Sequence, residues 1–131
     1  MPKTREKIKS LDMLGDVSRQ LVEAGKSVVL CHGTFDLIHT GHIRHLQEAK
    51  RQGDILFVTI TADKYVNKGP GRPVFSEILR AENLSALSCV DYVGIVYSES
   101  GDEAISQIKP NVYVKGNEYK NATDDLTGKI T

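Results

Sequence analysis

Two histidines, His39 and His42, have side chains and a spacing suited to chemistry at a phosphate group. Thr40 and Gly41 separate them, and His42 falls where a helical pattern begins. Imidazole N–H groups can stabilise negative charge that develops in a transition state. A helix start adds unpaired backbone N–H groups and the positive end of a dipole. If the nucleophile is an ionised phosphate oxygen, such a site needs no general base.

The segment before the histidines lies where ligands bind in α/β proteins. Residues 33–36, Gly-Thr-Phe-Asp, follow the apolar, β-prone residues 27–31, with only His32 between them. Ligands of open parallel sheets bind outside the carboxyl ends of the strands. We therefore expect a binding site in the turn of residues 32–40, where Gly41 would keep side chains out of the way of the ligand.

Two charged residues, one in this turn and one on the later helix after Ser76, each allow two interpretations. Asp36 either orients a histidine or stabilises the turn by accepting backbone N–H bonds. Arg80 either pairs with Glu77 or Glu82 on its own helix or reaches the cleft.

The elements that must position the turn alternate between helices and strands. Ser10 is a predicted N-cap for a helix that ends at Gly25, and Ser76 caps a later helix in the same way. Predicted strands cover residues 27–31, 54–60, 91–97 and 112–114, predicted helices cover residues 41–52 and 102–108, and residues 61–73 form a long loop. This alternation indicates an α/β fold with a parallel sheet.

Length and charge limit the possible functions. A chain of 131 residues fits one domain, residues 1–131. Its 17 Lys and Arg balance 17 Asp and Glu, so no basic field favours nucleic acid. No apolar run approaches the roughly 20 residues of a membrane helix, and no apolar signal core follows the start. We expect a cytoplasmic protein that binds a small ligand, with neither nucleic acid nor membrane as a partner.

The cysteines and the other histidines favour no metal site on the protein. Cys31 and Cys89 lie in or beside apolar runs, as buried thiols do. No cysteine or carboxylate completes a zinc set with the histidines at recognised spacing. His45 is predicted to be solvated or structurally bonded, and His32 belongs either to the core or to the surroundings of the site.

Residues 33–42, Gly-Thr-Phe-Asp-Leu-Ile-His-Thr-Gly-His, resemble the signature of the cytidylyltransferase-like nucleotidyltransferases. This family includes glycerol-3-phosphate cytidylyltransferase and the adenylyltransferase domain of bacterial ADP-heptose synthesis. The similarity extends from about residue 10 to residue 120. Residues 115–119, Lys-Gly-Asn-Glu-Tyr, resemble the heptose-type members more than the glycerol-type ones.

The resemblance implies a Rossmann-like three-layer fold, with the nucleotide over the first and fourth strands of a parallel sheet. It implies ATP or CTP as donor, with ATP favoured, a phosphorylated sugar or polyol as acceptor, Mg²⁺ on the triphosphate and pyrophosphate as leaving group. His39, His42 and Lys68 are the implied catalytic residues. The implied nucleotide-binding residues are Gly33, Thr34, Phe35, Gly41, Arg80, Lys115, Gly116 and Tyr119.

Family members continue into a fifth strand and a final helix opened by a Ser/Thr-rich segment, which we do not find before Thr131. We therefore expect the C-terminal strand and helix to be missing, with residues 120–131 poorly ordered and residues 1–9 a loose lead-in. The exposed edge of the fourth strand then favours a homodimer. Two hypotheses follow: a nucleotidyltransferase, or a nucleotide-binding module or fragment of a bifunctional sugar kinase/nucleotidyltransferase that is inactive alone.

Overall fold

Four parallel strands form the centre of the protein. The computed structural model describes residues 4–66 and 69–115. The strands are β1 (Val28–Gly33), β2 (Ile55–Thr61), β3 (Tyr92–Val96) and β4 (Val112–Val114), and their order in the sheet is β3-β2-β1-β4. The helices are α1 (Leu11–Glu23), α2 (Thr40–Lys50), α3 (Glu77–Ser85) and α4 (Asp102–Ile108). The predicted α/β fold with a parallel sheet is confirmed.

The continuous apolar run of β1 exists because both faces of the sheet are covered. Alternate residues of a strand point to opposite faces. Val29 and Cys31 join a core cluster with α2 and α3, whereas Val28 and Leu30 join a second cluster with α1 and α4. The result is the expected three-layer arrangement of helices, sheet and helices.

The chain reverses its direction across the sheet at β1. From β1 it passes through α2 to β2 on one side, and β4 later returns to the opposite side of β1. Such a reversal opens a crevice at the carboxyl ends of the two neighbouring strands, where α/β proteins bind ligands. The predicted turn at residues 32–40 lies at this crevice.

Most predicted boundaries agree with the structure to within a few residues. Ser10 and Ser76 cap α1 and α3 through their hydroxyl oxygens, as expected. β1 extends to Gly33, and α2 begins at Thr40, directly after His39. The predicted loop contains a short 3-10 helix, Asp63–Tyr65.

The expectation of a loose lead-in is wrong for residues 4–9. Thr4–Lys7 forms a 3-10 helix, and Ile8 bridges to Val93 at the edge of β3. The backbone N–H of Lys9 donates to the Val93 carbonyl at 3.0 Å. A single apolar side chain, Ile8, packs against the core and fixes this otherwise polar segment. The expected poor order of residues 120–131 concerns a segment outside the described residues.

In the part of the chain that the structure describes, no helix is long and apolar enough to cross a membrane.

His32 belongs to the core. It is 6% exposed, Nδ1 lies 2.8 Å from the Thr59 hydroxyl, and Nε2 lies 3.3 Å from that of Thr61. Burial lowers the pKa of His32 from 6.5 to about 4. The buried imidazole is therefore neutral at neutral pH.

The low pKa of His32 predicts an acid-sensitive fold. Between pH 6.5 and pH 4 the unfolded chain binds a proton at His32 that the folded chain does not bind, so the free energy of unfolding falls with pH. The loss approaches about 3 kcal/mol below pH 4. Urea unfolding from pH 7 to pH 4 measures it, with His32→Asn as a control that keeps a polar group but does not titrate. The same pH dependence in both proteins would contradict this assignment.

Candidate active site

His39 and His42 cap the start of α2 with their own rings. His39 is the N-cap residue, and its Nδ1 accepts the backbone N–H of Gly41 at 3.0 Å. Nδ1 of His42 accepts the backbone N–H of His39 at 3.2 Å. This is a reciprocal capping box in which two imidazoles take the places usually held by Ser or Thr and Glu. The caps fix both side chains on the first turn of the helix.

The capping bonds also decide where each ring carries its proton. A backbone N–H can only donate, so Nδ1 of both rings is an unprotonated acceptor, and the neutral form carries its hydrogen on Nε2. The ring centroids lie 4.0 Å apart. Burial, followed by the charges of His39 and His45, lowers the pKa of His42 to about 4. His42 therefore offers a neutral Nε2–H donor at physiological pH.

Gly41 makes room for a histidine ring. A Cβ atom at this position would lie 2.8 Å from Cε1 and 3.1 Å from Nδ1 of His39. The imidazole could not then approach the Gly41 backbone to accept its N–H. The small size of Gly41 therefore serves the helix cap, and its role in keeping side chains away from a ligand stays a prediction.

Gly33 and Phe35 form a packed pair beneath His42. Phe35 is 3% exposed and has a φ of 50°, an uncommon conformation for a residue other than glycine. A Cβ on Gly33 would lie 2.8 Å from Cε2 of the Phe35 ring. The same ring meets that of His42 edge-on, with centroids 5.7 Å apart. The buried Phe35 ring thus packs against His42 and limits the positions that this imidazole can take.

Arg80 is completely buried and binds three separate segments. Its Nε donates to the Phe75 carbonyl at 3.0 Å, and one terminal nitrogen donates to the Thr34 carbonyl at 2.9 Å. The other terminal nitrogen contacts Asp63 at 2.7 Å. Pairing with Glu77 or Glu82, one interpretation from the sequence, is therefore wrong. This buried guanidinium already has three partners. Direct contact of Arg80 with a nucleotide stays a prediction.

Arg80 also determines how the peptide between Thr34 and Phe35 is oriented. In a trans peptide the carbonyl and the following N–H point in opposite directions. Because the Thr34 carbonyl faces Arg80, the Phe35 N–H faces away from it, and this N–H has no acceptor among residues 4–66 and 69–115.

Asp36 connects the turn to the end of the following loop. Its carboxylate accepts the N–H groups of Val74 and Phe75 at 2.8 and 2.9 Å and an Arg72 hydrogen bond at 3.2 Å. Burial alone would raise the pKa of Asp36, but these bonds outweigh it and lower the pKa. Asp36 does accept backbone N–H bonds, as one interpretation held, but from a segment 38 residues away rather than from its own turn.

The structure brings the predicted site residues that it describes to one end of the sheet. His39, His42 and Gly41 start α2, residues 33–35 follow or end β1, and Lys115 follows β4. Three further predictions, Lys68, Gly116 and Tyr119, lie outside the described residues. In the described ranges, no three His, Cys, Asp or Glu side chains come together as metal ligands.

Residues 30–130 match the cytidylyltransferase-like family. The chain belongs to the cytidylyltransferase-like family. Its sequence is 42% identical to the bifunctional protein HldE of Syntrophotalea carbinolica over 115 residues, which cover 86% of this chain and 24% of that protein. For HldE of Hydrogenovibrio crunogenus the identity is 45% over 106 residues, covering 79% and 22%. The chain thus spans about a quarter of the length of these curated relatives.

A solved structure supports the same assignment. The lipopolysaccharide core biosynthesis protein from Thermoplasma volcanium GSS1 has a TM-score of 0.66 and 30% identity, covering 81% of this chain and 87% of that chain. The family and these relatives make the chain a domain of the nucleotidyltransferase class.

The sequence did not indicate the roles of two acidic residues, Asp63 and Glu77, in the hydrogen-bond network around Arg80. Asp63 binds Arg80, and its own N–H donates to Glu77, which also accepts the Tyr97 hydroxyl at 2.9 Å. The position of Asp63, two residues beyond the carboxyl end of β2, is the signal that could have identified it.

Replacing Arg80 tests its supporting role. Arg80→Met should lower the free energy of unfolding by about 3 kcal/mol, because two carbonyls and a carboxylate lose a buried charged donor. Urea unfolding measures this, with Arg44→Met as the control on an exposed helix surface. Equal stability of the two variants would contradict the role of Arg80 as a support of the site.

Proposed function

We propose that this chain transfers AMP from ATP to a phosphorylated sugar or polyol and releases pyrophosphate. One observation carries the proposal: two capped imidazoles present Nε2–H donors at the start of a helix, at the crevice between β1 and β4. Backbone N–H groups and the helix dipole favour an anion at the same place. The likeness to HldE proteins supports this choice of reaction.

The reaction needs no proton to be removed from the acceptor. An ionised phosphate oxygen of the acceptor attacks the α-phosphorus of the nucleotide, a new P–O bond forms, and the bond to pyrophosphate breaks. Negative charge grows on the oxygens around the α-phosphorus and on the leaving group. Donors at His39 and His42 that strengthen as this charge grows lower the barrier more than they tighten ground-state binding.

ATP is preferred over CTP in this proposal because residues 115–119 resemble heptose-type members of the family. A phosphorylated sugar as acceptor is consistent with the structural neighbour, which is a lipopolysaccharide core biosynthesis protein. The reaction would take place in the cytoplasm, where nucleoside triphosphates are available. Two copies of the chain would associate through β4, which lies at an edge of the described sheet.

Magnesium would enter as the complex with the triphosphate. The donors at the site are imidazole and backbone N–H groups, which fit phosphate oxygens rather than a cation. The metal would supply charge neutralisation on the phosphates, while this chain orients the nucleotide and donates hydrogen bonds to it.

A second candidate is a nucleotide-binding part of a longer protein that does not turn over alone. The observation that favours it is the length of the HldE relatives, which are about four times as long as the segment that this chain matches.

A pyrophosphate-release assay with ATP and CTP, each against a panel of sugar 1-phosphates and polyol phosphates, separates the two candidates. We expect release with ATP, one sugar phosphate and Mg²⁺, and loss of release with excess EDTA. Calorimetry with the same triphosphates provides the second measurement. Binding without release, here and in a chain extended at both ends, would favour the binding module.

Two substitutions of His42 separate its donor from its cap. His42→Asn keeps an acceptor near the Nδ1 position but lacks the Nε2–H, so kcat should fall about a hundredfold with little loss of stability. His42→Gln places an amide N–H near Nε2 but loses the cap, so stability should fall by about 1 kcal/mol and kcat should fall less. Steady-state kinetics and thermal unfolding measure both effects. Wild-type turnover in His42→Asn would exclude the proposed role.

A further inference from the structure

A third histidine connects α2 to the last described strand. Nε2 of His45, one helical turn after His42, lies 2.9 Å from the backbone carbonyl of Lys115. A carbonyl oxygen can only accept, so His45 donates this bond from Nε2, and both its neutral and its protonated forms can do so. The bond joins residues that are 70 positions apart in the sequence.

The ring of His45 lies over the junction of β1 and β4. Its Nε2 is 3.7 Å from Sγ of Cys31, and Cys31 is paired with Val114 in the parallel register. This is the pair of strands at which the chain reverses direction across the sheet. His45 of α2 therefore contacts both sides of this junction, Cys31 in β1 and Lys115 directly after β4.

We infer that His45 is a positioning residue for the nucleotide, because it holds the end of β4 at a fixed distance from the start of α2. The inference rests on the proposed function. Lys115 directly follows β4, and its carbonyl accepts the hydrogen bond from His45. A ligand that spans the crevice meets both borders, so their separation determines how well it binds.

The position of His45 predicts an effect on binding rather than on the chemical step. His39 and His42 are fixed by caps within their own helix turn, and neither cap involves His45. Loss of the link to β4 leaves both Nε2–H donors in place but frees the opposite border of the crevice. Contacts made equally in the ground state and the transition state change KM and leave kcat unchanged.

Three variants test this inference. Gln places an amide N–H near the position of Nε2, so His45→Gln should keep nucleotide affinity within about twofold. His45→Met has a similar length and no donor, and it should raise KM for ATP and the Kd of a non-hydrolysable ATP analogue about five- to tenfold, with kcat within about twofold. Gln47→Met places the same side chain on the exposed side of α2 and should match the wild type.

The outcomes are distinct from those that test the proposed function. If the wild type releases no pyrophosphate but binds the analogue, the proposed reaction fails and the Kd values still test His45. Unchanged KM and Kd in His45→Met, a fall in kcat alone, or equal losses in the Met and Gln variants would overturn the inference. If thermal unfolding shows that His45→Met does not fold, His45→Asn, whose amide is too short to reach the carbonyl, replaces it under the same criteria.

Discussion

The buried guanidinium of Arg80 is the interaction on which the architecture of the site depends. It joins the turn after β1, the 3-10 helix after β2 and the segment before α3 through two backbone carbonyls and one carboxylate. Its planar fork reaches the three acceptors from three separate nitrogens, whereas an ammonium would have to serve all three from a single atom. Arg80 therefore shapes the turn after β1 through the peptide of Thr34, from a fully buried position.

Most side chains of the site act in the same indirect way. Asp36 holds the backbone of Val74 and Phe75, His45 holds the carbonyl of Lys115, and the Nδ1 atoms of His39 and His42 hold the helix start. Among the described residues, the Nε2–H groups of His39 and His42 take no part in these caps and can donate to a ligand. Because their positions are fixed before any ligand arrives, little reorganisation is needed during the reaction.

The local features of this arrangement could be predicted from the sequence. The hydrogen bonds from side chains to distant backbone carbonyls could not. Caps at Ser10 and Ser76, the apolar run of β1 and the spacing of His39 and His42 are all signals within a few residues. The three partners of Arg80 include two carbonyls, and His45 also binds a carbonyl. Every residue has a carbonyl, so such partners leave no pattern in the sequence. The packing of Ile8 against β3 was missed because one apolar residue in a polar segment gives no periodicity.

The neutrality of His42 bears on how such a site can be selective for the transition state. A cationic pair would attract the triphosphate strongly in the ground state, which lowers KM without raising kcat. Burial and the neighbouring histidines keep the pKa of His42 near 4, so the ring remains a dipolar donor. In the proposed reaction, Mg²⁺ on the triphosphate, the start of α2 and a few basic side chains would offset the charge of the phosphates, since the chain has a formal net charge of zero. The imidazoles would then act where charge develops, at the oxygens around the α-phosphorus.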